Sequence, residues 1–112
     1  MWNEPSPEHL RRLPRIGANA ETRWQDIVIH EHFFFGACDW YMAEYGPSDR
    51  LFFGYAILND DLDNSEWGYT AYDELRAINV RGFQIDRDLH WNACPAGEVE
   101  RIVAGHHRCG CT

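Results

Sequence analysis

The hydrophobic positions of this chain fall mostly in short β-branched and aromatic runs separated by turn residues, a pattern that predicts a sheet. Ile27 to Phe35 is the first run; Gly36 turns the chain, and Cys38 to Tyr45 is the second. Gly46, Pro47, Ser48 and Asp49 form a turn. Leu51 to Leu58 follows, apolar on both faces, and is expected near the centre of the sheet. A polar loop over residues 59–64 leads to a fourth strand, Glu66 to Ala71. Phe83 to Trp91 alternates and predicts a fifth, with Phe83, Ile85, Arg87, Leu89 and Trp91 on one face and Gln84, Asp86, Asp88 and His90 on the other. Helical spacing is rarer. It predicts an opening helix over Pro7 to Leu13, one or two turns over Tyr72 to Ile78 with Leu75 and Ile78 inward, and a closing helix over Pro95 to Val103. Short turns between consecutive strands favour antiparallel order. The expected class is α+β: an antiparallel β-sheet of about five strands with short helices packed on one face. Residues 1–104 form a single domain, and 105–112 a C-terminal tail.

Charge sharpens this picture. The 112 residues carry a net charge of −8, 45% hydrophobic residues and 14% aromatic ones, enough for a thin core. Glu31 to Glu74 holds ten acidic residues and one basic residue, Arg50, together with most of the aromatics. An acidic block rich in aromatics is folded and presents negative charge, whereas a disordered acidic tail lacks the rings. That sign disfavours direct binding to nucleic acid, which needs a basic face. The N-terminus is polar and proline-bearing, and the apolar runs are too short to span a bilayer, so the expected location is the cytoplasm of a bacterial cell, with no membrane partner. Of the four cysteines, Cys38 reads as a small buried residue, and no disulfide framework is expected.

Three groups of residues have ligand chemistry. Asp86, Asp88 and His90, spaced by two on one strand face, suit a divalent cation such as manganese or magnesium. His30 and His32 share a face but lack the glutamate a cupin site needs; they are expected to line solvent. His106, His107, Cys109 and Cys111, with Cys94, form a soft set that zinc accepts, although Cys-x-Cys is tighter than the usual spacing. Against each stands a plainer reading: a solvated strand face for the first, a frayed tail for the third. No nucleophile elbow and no phosphate loop is present in the sequence.

Several long blocks carry a family resemblance: His32 to Tyr41 (HFFFGACDWY), Ala43-Glu44-Tyr45, Leu51 to Asn59 (LFFGYAILN), Asn64 to Tyr69 (NSEWGY), Asp73-Glu74-Leu75 and Asp86 to Trp91 (DRDLHW). Together they resemble a small bacterial and phage family, domain of unknown function twenty-nine fifty-eight, over most of the chain. The resemblance implies carriage on plasmids, phages and other mobile elements, often beside anti-restriction functions. It implies no catalytic residue. With the charge pattern, it gives the expectation of a non-enzymatic acidic inhibitor of the anti-CRISPR or anti-restriction kind. Such a protein imitates DNA and binds the basic surface of a host nucleic-acid-handling complex. The working residues are expected to be the loop acids Asp60, Asp61, Asp63, Glu66, Asp73 and Glu74, with Glu44 and Asp49 at another turn and Trp67 and Tyr69 as exposed aromatic anchors. The alternative is a small metal-binding protein or metal-dependent enzyme built on Asp86, Asp88 and His90 or on the C-terminal His/Cys set.

Overall fold

The computed structural model describes residues 3–109. In chain order the elements are helix α1 (Pro7–Arg11), strands β1 (Val28–Ile29), β2 (Glu31–Phe35), β3 (Cys38–Gly46), β4 (Leu51–Ile57) and β5 (Glu66–Ala71), helix α2 (Tyr72–Arg76), strands β6 (Asn79–Val80), β7 (Phe83–Gln84), β8 (Asp86–Arg87) and β9 (Cys94–Pro95), and helix α3 (Glu100–Cys109). Short 3-10 turns at Trp24–Asp26, Leu62–Asn64 and Ala96–Glu98 join them. The class is α+β, as the pattern predicts. The main sheet is antiparallel, five strands in the order β5-β4-β3-β2-β8.

Both faces of this sheet are covered. Phe33, Trp40, Met42, Phe52 and Ile85 meet Leu13 from the segment after α1 and Tyr72 and Leu75 from α2. Tyr41, Ala43, Tyr55 and Ile57 meet Ile27, Ala96, Val99 and Ile102, the last from α3. A bulge in β3 makes this division possible. The register with β4 shifts between Met42 and Glu44, so Ala43 is the extra residue. Beyond it Tyr45 joins the Trp40 and Met42 side, which strict alternation would forbid.

Two sequence expectations are corrected here. Phe83 to Trp91 is not one strand. Its start folds back on β6 through Arg81 and Gly82, both at positive φ, in a tight hairpin. Only Asp86 and Arg87 pair with β2, and a turn bond from Trp91 N to Asp88 O then ends the run. Ile85 is buried, but Phe83 and Leu89 are 72% and 58% exposed, because the hairpin carries the first away from the core and the turn the second. The second concerns the C-terminus. The boundary at residue 104 falls inside α3, where Gly105 and His106 are buried. Gly105 lets the helix approach Tyr55 and Ser65; a Cβ there would collide with the Tyr55 hydroxyl.

Candidate interaction surface

The acidic residues do not form one bare patch. Glu44 is 3% exposed, and its carboxylate accepts hydrogen bonds from Gly17 N (2.8 Å), Asn19 N (2.9 Å) and Asn19 Nδ2 (2.8 Å). It fastens the 14–23 loop to β3 and is buried beneath that loop, out of a partner's reach. Three others are held by guanidinium groups. Asp60 lies 2.7 Å from Arg101, Asp63 lies 3.0 Å from Arg108, and Asp73 lies 2.9 Å from Arg50. The hydrogen bond from Arg50 holds the Asp73 carboxyl below its usual range. Asp61 accepts from Asn64 N and, at 2.7 Å, from Asn64 Nδ2, capping the Leu62–Asn64 turn. Asp49, Glu66 and Glu74 are exposed and belong to no ion pair among the described residues.

The last two flank a groove. It encloses about 410 Å³ between β5 and α2, with Trp40, Ala56, Leu75 and Ile78 apolar in its walls and Glu66 and Glu74 at its rim. Gly68 and Thr70 line the β5 side. The opposite face of β5 is aromatic: Trp67 stacks on Phe53 with centroids 5.9 Å apart, and Tyr69 leans on Phe53 at 5.3 Å. Tyr69 is 62% exposed. Trp67 is half-buried instead, its indole N–H donating to His106 Nε2 at 2.9 Å, so α3 has already engaged it. A separate groove of about 460 Å³ by α1 has the opposite sign, rimmed by Arg11, Arg15 and Arg50 over Leu10, Leu13 and Tyr45.

One half-buried polar cluster escapes sequence reasoning. His32, expected at solvent, is instead clamped between two carboxylates: Nε2 lies 2.8 Å from Asp39 Oδ1, and Nδ1 lies 3.1 Å from Asp88 Oδ2. Its ring stacks on Tyr41 at 4.5 Å. Arg101 bridges Asp39 at 3.1 Å and Asp60 at 2.7 Å. Burial, with Asp39 beside it, pushes the Tyr41 phenol up to about 12. Both ring nitrogens face carboxylates. The cluster ties β2, β3, the turn after β8 and α3 together. The only signal available beforehand was the cross-strand pairing of His32 with Tyr41 and Phe34 with Asp39, which places the three polar groups near one another.

The expected metal ligands are dispersed. Asp86 accepts from Asn3 Nδ2 at 2.6 Å and from the backbone N–H of Arg87. Asp88 is taken by His32 and by the backbone N–H of His90, while the His90 residue itself is exposed. The broken strand separates what regular alternation would have aligned. His106 is buried, stacked at 3.7 Å on Trp24, and its Nε2 is occupied by Trp67. His107 is exposed on the same helix. Cys94 pairs with Ile29 in the small β1–β9 ladder, and burial, then the charge of Glu98, pushes its thiol up, away from the thiolate zinc requires. The Cys109 side chain and Cys111 lie outside the described residues. Among the described residues no three His, Cys, Asp or Glu side chains come together as a possible metal site.

A five-stranded antiparallel sheet covered on both faces, with two apolar grooves of opposite rim charge, defines a small α+β domain. Residues 7–96 match the model of the family described as protein of unknown function (DUF2958), and the chain belongs to that family. No curated protein and no solved structure matches it. Arg101 and Arg108, which neutralise Asp60 and Asp63, lie beyond the matched segment. No helix among the described residues is long and apolar enough to cross a membrane.

Proposed function

We propose that this protein is a non-enzymatic inhibitor that binds a basic, nucleic-acid-handling surface of a host defence complex, of the CRISPR effector or restriction enzyme kind, in the bacterial cytoplasm. The observation that carries the reading is the pair Glu66 and Glu74, exposed and outside any ion pair among the described residues, over an apolar groove beside the exposed ring of Tyr69. Carboxylates on such a rim attract Lys and Arg, and the groove and ring supply the apolar contact that fixes a complex. The net charge of −8 adds steering, worth up to ~10–1000-fold in encounter rate. An extended ladder of DNA-like charge has less support, since Asp60, Asp63 and Asp73 are bound to arginines. The working acids are therefore Glu66 and Glu74, with Asp61 and Asp49 contributing field.

The test adds purified protein to CRISPR effectors and restriction endonucleases and measures their DNA binding. Inhibition that weakens as salt is raised, and that falls about tenfold or more in Glu66→Arg/Glu74→Arg, supports the reading. Inhibition unchanged by that double reversal, or no inhibition of any effector of either kind, overturns it.

A further inference from the structure

The outer strand of the main sheet is left open on one side. β5 is hydrogen-bonded in a sheet only to β4, through six consecutive pairs from Leu51↔Ala71 to Ala56↔Glu66 with no shift in register. Among the described residues, Glu66 to Thr70 take part in no backbone hydrogen bond outside this ladder and the helices. Natural edges are commonly blunted by proline, lysine or a bulge. β5 reads Glu66, Trp67, Gly68, Tyr69, Thr70, Ala71 and has none of these.

Gly68 is the second observation. A Cβ added there meets nothing within 4 Å, and its φ lies outside the left-handed region. Neither backbone geometry nor internal packing requires glycine at this position. Its partner across the ladder differs: a Cβ at Gly54 would run into Tyr41 O and sit 2.7 Å from Met42 Cα, so the fold itself demands that glycine. A glycine inside a strand weakens it, and one that the chain's own packing does not explain marks the close approach of another group. Gly68 lines the groove between Glu66 and Glu74.

We propose that β5 accepts an extended, arginine- or lysine-bearing segment of the protein partner as an added strand. Alternate side chains of that segment enter the groove over Gly68 and meet Glu66 and Glu74. The intervening ones lie over Tyr69 on the other face, where a guanidinium stacks on the ring. Backbone pairing supplies affinity and the side-chain period of two supplies selectivity, the usual division of labour in strand addition. Charge complementarity selects this occupant over an acidic one. The inference rests on the preceding reading for the sign of the partner, and adds where and how it binds.

The test uses a labelled peptide of alternating arginine and valine and its counterpart with glutamate for arginine. Binding is followed by fluorescence anisotropy and by amide exchange of β5. Wild-type protein is expected to bind the arginine peptide and not the glutamate one, with slowed exchange at β5. Gly68→Val, whose Cβ meets nothing within 4 Å in the folded chain and which favours a strand, is expected to weaken binding about tenfold or more while the thermal midpoint holds or rises. Glu21→Arg, an equal charge reversal at an exposed residue that does not line the groove, is expected to bind as wild type does. Unchanged binding by Gly68→Val, unchanged exchange at β5, or failure to bind the arginine peptide overturns the inference. So does self-association that Gly68→Val abolishes, which would give the groove to a second copy bringing its arginine rim. Inhibition of an effector that survives Gly68→Val but not Glu66→Arg/Glu74→Arg leaves the functional reading standing and removes only the strand. Peptide capture at β5 with no effector inhibited does the reverse.

Discussion

Single side chains in this protein are defined by what they are bonded to more than by what they are. Glu44 shows this most plainly: three N–H donors converge on a carboxylate that is 3% exposed. Glu44→Ala leaves the Gly17 and Asn19 backbone donors without their acceptor, and hydrogen bonds to charged groups contribute more than neutral ones. We expect Glu44→Ala to lower unfolding free energy by roughly 2–3 kcal/mol in urea denaturation; an exposed acid would change it by less than about 0.5 kcal/mol. His30 makes a pH-dependent contribution. Burial holds its imidazole below the usual 6.5, so in the window beneath 6.5 the unfolded chain binds a proton that the folded chain resists. Stability is present above 6.5 and is lost as pH falls through the lowered value. Burial raises the Glu31 carboxyl above its usual 4.5, which acts with opposite sign at lower pH. The comparison is therefore made against His30→Asn, whose stability should fall less than wild type on acidification just below 6.5.

Among the elements, α3 does more than close the chain. It covers one face of the sheet with Ile102, supplies Arg101 and Arg108 to Asp60 and Asp63, and presents His106 to Trp24 and Trp67. Were residues 105–112 a frayed tail, a stop after Ala104 would be silent. The packing of His106 argues otherwise: removal leaves the Trp67 indole N–H without its acceptor and opens the ring stack. We expect this truncation to lower the thermal midpoint by roughly 10 °C, followed by circular dichroism. The strands were largely legible beforehand. Glu66–Ala71 is observed at its expected bounds, and β3 and β4 to within a residue, because aromatic and β-branched runs between turn residues act locally. The run over residues 83–91 was not. Its alternation is genuine, but the Arg81-Gly82 turn and the Asp88 turn outcompete extension.

For the molecule as a whole, charge is the property that folding rearranges most. The six arginines at positions 23, 50, 76, 87, 101 and 108 are spent on internal ion pairs, so the exposed acidity concentrates where no arginine reaches. Surface ion pairs of this kind add little stability, yet they decide which carboxylates a partner meets. The salt dependence predicted for partner binding follows from this: the rim acids are exposed, and at 0.1 M salt the screening length is only about 10 Å. The two grooves share no lining residue, and the one by α1 is rimmed by Arg11 and Arg15, so the surface is not uniformly negative.

The sequence by itself determined the class, the positions of the principal strands, their antiparallel order and the family. Each depends on neighbours a few residues apart, or on a residue pattern read in one dimension. Only the tertiary structure decided which acids stay available. Asp60 and Asp63 are neutralised by arginines 41 and 45 residues further along the chain. Glu44 is buried under Gly17 and Asn19, residues 27 and 25 positions earlier, a contact that no local pattern marks. Electrostatic pairing depends on distance through space, and that distance is set by how α3 docks.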